Sequence, residues 1–248
     1  MIIIKSEKEI EIMRTAAKVT AEVLVELENF IKPGMSTADI DKFVEDYIVG
    51  KGMYPTFKNL YGFPASACIS VNEEIVHGIP SKDRILVEGD IVSVDVGSTY
   101  EGYVSDAART YPVGKISKEA QKLIDVAKSS FFAGLEFCRE GYRLSDVSHA
   151  IQVEVESNGF GVIRDYTGHG VGRNLHEDPK IPNYGKPGKG PRLQRGMTLA
   201  IEPMITQGSY ETEVLLNDWT VVTLDGKLSA HYENTVLITD GEPELLTM

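Results

Sequence analysis

GDIVSVD (Gly89–Asp95) returns 107 residues later as GMTLAIE (Gly196–Glu202): a glycine, an apolar run and a carboxylate, in the same order and spacing. The same offset carries Gly34 onto Gly141, Ile40 onto Val147, Val44 onto Ile151, Ile48 onto Val155 and Gly52 onto Gly159. A unit of turn, helix and turn, followed by a strand that ends in an acid, is thus written twice. The repeat predicts one domain, 1–248, made of two pseudosymmetric halves, about 1–115 and 116–248, with Asp95 and Glu202 at equivalent places. Further on the offset breaks. Asp106 follows Asp95 by 11 positions and Glu233 follows Glu202 by 31, so the second hairpin should hold an excursion of 20 residues.

Outside the repeat, Ser6 followed by Glu9 reads as a capping box, and Ile10, Met13, Ala17, Leu24, Leu27 and Ile31 recur near the helical period. A long amphipathic helix should follow and stop at IKPGM. Ser36 with Asp39 caps a second helix to about Val49, Ser117 opens a third to about Phe137, and Ser145 a fourth to about Ser157. Cys68–Val71 and Ile91–Val96 are β-branched and read as strands, the latter opening a hairpin through GSTYEG into YVSDAARTYPV. Strands return at Thr198–Ile201, Thr220–Thr223 and Thr235–Thr239. Between them, His169–Gly190 holds eight glycines or prolines in 22 residues and reads as irregular loop. The fold class expected is α+β.

Composition narrows the function classes. A chain of 248 residues with 42% apolar content can bury a full core, and a net charge of −12 argues against a nucleic-acid binder. The two cysteines, Cys68 and Cys138, are too few for a disulfide framework and suit a reducing compartment. The opening MIIIKSEKEIEIM has too short an apolar run for a signal peptide, and no stretch approaches the ~20 apolar residues of a membrane span. A cytoplasmic protein without membrane contact is expected.

The chemistry lies in five residues: Asp95 in VDVG, Asp106 in SDAART, His169 in GHG, Glu202 in AIEP and Glu233 in HYENT. Singly, Asp before Gly is a turn residue and Glu before Pro a strand end. Together, four carboxylates and one imidazole form an oxygen-rich set suited to Mn, Fe(II), Co or Zn as a pair rather than to a thiolate-bound structural zinc. Four clustered carboxylates would also raise one another's pKa unless cations neutralise them, and two divalent ions balance four negative charges. The glycines beside His169 permit a tight backbone path. Of the other histidines, His77 sits in the tight loop VHGIP, His176 follows seven residues after His169, His149 looks like an ordinary helix residue, and His231 adjoins Glu233. No H-E-x-x-H helix, P-loop, G-x-S-x-G elbow or CxxC pair is present, so the nucleophile of a hydrolase here would be water.

Taken in order, KPGMST, CISVNEEIVHGIP, GDIVSVDVG, YVSDAART, TGHGVG, LHEDP, LAIEPM and HYENT resemble the type I methionine aminopeptidases in their short bacterial form, over essentially the whole chain. The resemblance implies the pita-bread, creatinase-like fold, with a curved antiparallel sheet flanked by helices. It implies two divalent ions: Asp95 on one, His169 and Glu202 on the other, Asp106 and Glu233 bridging. It makes Glu202 the proton acceptor for a water between the ions, His77 a partner of the scissile peptide nitrogen, and His176 a donor to the carbonyl oxygen. The product would be free methionine, released from nascent polypeptides whose second residue is small. A methionine pocket would be formed by Phe57, Leu60, Phe63, Cys68, His77, Leu175 and Trp219; some relatives carry cysteine at Phe57, tyrosine at Leu60 and phenylalanine at Leu175. Backbone carbonyls near Asn72, Glu74 and Ser229 resemble a site for a monovalent cation, Na or K. A monomer acting on chains that leave the ribosome is implied, with no direct role for nucleic acid.

Two rivals share the fold, and the first of them the ligand order. Proline-directed dipeptidases and aminopeptidases usually carry an extra N-terminal domain, for which the 94 residues before Asp95 leave too little chain beside the first half. Non-catalytic binding proteins of this fold have degraded sites, whereas all five ligand positions and both histidines are intact here.

Overall fold

Ser6 opens the first helix as expected: its backbone N–H donates to Glu9 Oε2 at 2.8 Å, and α1 runs Glu7–Phe30 with Ile10, Met13, Ala17, Leu24 and Leu27 on its buried face. The computed structural model describes all 248 residues. In the first half α1 is followed by α2 (Thr37–Gly50), β1 (Tyr54–Pro55), β2 (Ala67–Val71), β3 (Glu74–Val76), β4 (Ile91–Tyr100) and β5 (Tyr103–Pro112). The second half opens with α3 (Lys118–Leu135) and α4 (Leu144–Ser157). Its first strands are β6 (Gly161–Val162), β7 (Gly168–Gly170), β8 (Glu177–Ile181), β9 (Thr198–Ile201) and β10 (Met204–Thr206). β11 (Thr212–Val214), β12 (Val221–Thr223), β13 (Ser229–His231), β14 (Asn234–Leu237) and β15 (Glu244–Leu245) complete it.

The offset read in the sequence is present in the backbone. Thr37 and Leu144 open α2 and α4, and Gly50 and Ser157 close them, each pair 107 residues apart. β1 and β6 lie at the same offset, and so do two isolated bridges, Ser36 to Ile85 and Arg143 to Arg192. Gly34 and Gly141 adopt φ of 90° and 92°, in the left-handed region that a Cβ disfavours, which is why glycine stands at both.

Every strand pair is antiparallel. In one sheet β4 is flanked by β1, β2 and β5; in another the order is β15-β14-β9-β7-β8. Each half lays its helix pair on its own strands. Val23, Leu27, Ile40, Val44 and Ile48 meet Ile69, Val92 and Val94, while Leu123, Phe131, Val147 and Ile151 meet Leu199, Ile201 and Val236. The seam between halves is stitched by backbone and side chain: β3 pairs with β12, Ala108 and Glu233 exchange backbone hydrogen bonds, and Thr235 Oγ1 donates to the Asp106 carbonyl at 2.8 Å. Arg109, half-buried in the same seam, donates to Asn234 Oδ1 at 2.7 Å.

Two expectations need correction. The segment His169–Gly190 is not all loop: it contains most of β7 and all of β8. The glycines on either side of His169 mark close packing of backbones, since a Cβ on Gly168 would lie 2.4 Å from the Ala200 carbonyl oxygen and one on Gly170 2.2 Å from that of Asp178. Pro179 is tolerated because β8 is an edge strand, where a missing N–H breaks no central ladder. Ser145 does not open α4; Arg143 does, its N–H donating to Asp146 Oδ2 at 2.8 Å, while Ser145 ties to Lys189. The excursion after Glu202 is itself built of strands. Ile201 pairs with Asn234 and Met204 with His231, one register on both sides of a break at Glu202–Pro203 and Tyr232–Glu233. No helix is long and apolar enough to cross a membrane.

Candidate metal centre

Side chains alternate along a strand, and that rule aims the five residues at one point. Asp95 on β4 lies opposite Ala108 on β5, and Asp106, two residues from Ala108, shares its face. His169 on β7 lies opposite Ala200 on β9, and Glu202 follows Ala200 by two. Glu202 and Glu233 face each other where the β9–β10 and β13–β14 register is interrupted, the interruption freeing both from regular pairing. The first half thus supplies two carboxylates and the second two carboxylates and an imidazole.

Ligand atoms of Asp106, His169 and Glu233 all lie within 4.8 Å of one another. His169 Nε2 is 3.4 Å from Glu202 Oε1 and 3.5 Å from Asp106 Oδ2, while its Nδ1 is held 2.9 Å from the Gly170 carbonyl. Burial raises the pKa of Asp95 well above its usual value, with repulsion from Asp106 and Glu202 added; burial and the same neighbours do this to Glu233. Burial opposes charge on His169, yet its hydrogen bond to Asp106 and the charge of Glu202 outweigh that and lift it to about 9. Asp95 Oδ1, Asp106 Oδ1 and Glu233 Oε1 are buried with no hydrogen-bond partner. Unpaired buried anionic oxygens are costly, and divalent cations satisfy both the lone pairs and the charge. The donor set fits a pair of such ions.

A cavity of about 150 Å³ opens from this cluster. Asp95, Asp106, His169, Glu202 and Glu233 line one end, and Phe57, Leu60, Phe63, Cys68, Leu175 and Trp219 form an apolar recess, with His77 and His176 also on the wall. All seven residues expected for the pocket therefore line it. The substitutions at Phe57, Leu60 and Leu175 keep it apolar. Phe57 is seated by Gly97, where a Cβ would come within 2.9 Å of the phenyl ring. Five further residues on the wall escaped the sequence reading: Tyr61, Val76, Tyr166, Thr167 and Met204. A loop aromatic without periodicity leaves no signal that sequence could expose.

The histidines divide by environment. His77 takes φ of 59° and its ring meets Tyr166 and Trp219 edge-on, at 5.9 and 6.3 Å. The His176 ring stands 4.5 Å from that of His169, at 74°. Burial lowers the pKa of both His77 and His176, and for His176 the neighbouring His169 adds to it. The loop carrying His176 is anchored by a buried ion pair, Lys5 Nζ to Glu177 Oε2 at 2.7 Å, for which Gly172 makes room. His231 is fully buried, its Nε2 3.6 Å from Glu202 Oε2 and 3.9 Å from Glu233 Oε2. His149 is remote, contacting the Gly185 carbonyl. Where the resemblance implies a cation site, the Ser229 N–H donates to the Asn72 carbonyl at 2.8 Å, and the Glu74 carboxylate accepts from the Val71 N–H.

A metallopeptidase model, family M24, matches residues 11–240. The methionine aminopeptidase of Clostridium acetobutylicum is 58% identical over all of this chain and 99% of its own length. The chain belongs to metallopeptidase family M24, among the methionine aminopeptidases. The solved methionine aminopeptidase of Thermotoga maritima superposes with a TM-score of 0.98 at 48% identity, covering 100% of this chain and 99% of the other. A prolidase from Pyrococcus furiosus shares the fold alone, at 23% identity and a TM-score of 0.79, with this chain spanning 65% of its length. The M24 fold is thus the pita-bread arrangement expected, and membership implies divalent metal.

Proposed function

We propose that this chain hydrolyses the first peptide bond of polypeptides that begin with methionine and continue with a small residue. The observation that carries the reading is the meeting of two environments in one cavity: buried carboxylate oxygens without partners, and an apolar recess closed by Phe57, Phe63 and Trp219. A cavity of this size accepts a ligand of about the bulk of benzene, which suits an unbranched thioether side chain. Asp95, Asp106, His169, Glu202 and Glu233 would hold two divalent ions, of Co, Mn, Fe(II) or Zn. Bound there, such ions supply Lewis acidity and make water a competent nucleophile near neutral pH.

The chain's own groups do the rest. Glu202, the more open carboxylate beside His231, takes the proton of the attacking water. His176, neutral because burial and His169 lower its pKa, donates to the carbonyl oxygen as charge develops on it. His77, set by its unusual φ against Tyr166 and Trp219, faces the peptide nitrogen. Asn72, Glu74 and Ser229 belong to the same reading as backbone ligands of a monovalent cation. The cytoplasm is the place of action, with a monomer working on nascent chains at the ribosome; both cysteines are free and buried, as a reducing compartment permits.

The test is a competition among Met-Ala, Met-Ile and Ala-Pro peptides with metal supplied, and again after chelation. Metal-dependent release of methionine from Met-Ala alone is expected. Preference for Ala-Pro would transfer the chain to the proline-directed activity.

A further inference from the structure

Tyr61 occupies a position that packing does not account for. It sits at φ 51° in a short turn, Leu60–Gly62, between Asn59 at φ 65° and Gly62 at φ 89°. A bulky L-residue rarely adopts such a conformation, and strain of this kind gathers at functional sites. The residue is 70% exposed, so little burial offsets the strain.

The loop around it is held from behind. Asp41 on α2 accepts from the N–H groups of Ser66 and Ala67, both at 2.9 Å, and Glu45, one turn on, accepts from Ser66 Oγ at 2.9 Å and is ion-paired with Lys58. α2 therefore grips the loop at both ends and presents its apex to the cavity. Leu60 and Phe63 turn toward the apolar recess, while Tyr61 lines the mouth. Its ring centroid lies 6.0 Å from that of His176, with the planes 16° apart.

We infer that Tyr61 is a specificity-determining residue, whose ring forms the outer wall against which the third residue of the substrate packs. The inference rests on the function proposed above and extends it beyond the scissile bond. With methionine in the recess and His176 at the first carbonyl, the chain leaves past the face of His176 that Tyr61 covers. An extended peptide advances about 3.3–3.6 Å per residue. The Tyr61 ring lies 6.0 Å from that of His176, the length of nearly two extended residues, and so stands within reach of the residue two beyond that carbonyl. An aromatic wall there favours apolar and aromatic side chains, or a flat peptide group, over small polar ones.

The test compares kcat/KM for a Met-Ala-Phe amide and a Met-Ala-Ser amide in the metal-loaded wild type, Tyr61→Phe and Tyr61→Gly. Glycine takes positive φ freely, so Tyr61→Gly should keep or raise the Tm. The wild type should prefer phenylalanine at the third position. In Tyr61→Gly that preference should fall about tenfold, through KM, and in Tyr61→Phe it should persist. An equal loss on both peptides, carried by kcat, would show that the ring acts only on His176 and would overturn the inference; so would a preference unchanged in Tyr61→Gly. A wild type inert toward both peptides would instead overturn the proposed activity.

Discussion

Glu202 and His176 stand on the same wall, yet their environments assign them different work, and substitution separates the two. Replacing Glu202 by Gln keeps the size while removing a charge and a proton acceptor. Turnover should fall about 10³-fold or more, with weaker metal retention. Replacing His176 by Ala removes a donor that matters most as the carbonyl oxygen becomes anionic. There kcat should fall on the order of 10²-fold while metal content stays near normal. Steady-state kinetics paired with metal analysis of each variant distinguishes them; metal loss in His176→Ala would recast that residue as a ligand. The five candidate ligands, which line one end of the cavity, were legible in the sequence because charge balance drew attention to them together and the repeat to Asp95 and Glu202. Tyr61 and Tyr166 were not, since nothing about a tyrosine in a loop tells which cavity it faces. Nor was the Lys5–Glu177 pair, whose partners lie 172 residues apart.

At the scale of elements, the helices were readable from their periods and three of the four from their caps, and the first hairpin from the β-branched residues of its first arm. β7 and β8 were not, because glycines there serve backbone contact and punctuate the sequence as a turn would. The start of α1 offers a measurement. Glu9 accepts from Tyr103 Oη and from the backbone and side chain of Ser6, which hold its pKa down at about 2 from the usual 4.5. A carboxylate depressed on folding stabilises the folded state fully above its unfolded pKa, and the contribution fades as pH falls toward the folded one. Wild type should therefore exceed Glu9→Ala in Tm at pH 7, by about 2–4 °C for a lost cap in a chain of this length. The gap should narrow between pH 4.5 and 2. A gap independent of pH over that window would mean that the charge of Glu9 contributes nothing.

For the whole molecule, the proposed metal centre lies on the seam, which would link occupancy to folding. Four clustered carboxylates, three of them with an orphaned oxygen, burden the folded chain, and ions that bind only that state lift its stability. At about a hundredfold excess over Kd the gain is about 2.7 kcal/mol, or roughly 5–10 °C in Tm. Chelation should lower Tm by that amount in a thermal scan, and readdition of Mn or Co should restore it; an unchanged Tm would mean the ions do not bind this cluster.

The stitching of the two halves reaches further than stability. β3 is paired into the second half, and the bonds of Ala108, Arg109 and Thr235 cross the seam beside the ligands. Such halves cannot swing apart, so a substrate is never enclosed by a closing jaw. It has to be threaded, end first, through the fixed mouth beside Tyr61, and only an extended and free N-terminus has the reach to do so. The time available for the reaction would then be set by the client polypeptide: a chain whose first residues fold back into structure withdraws itself, and its methionine stays.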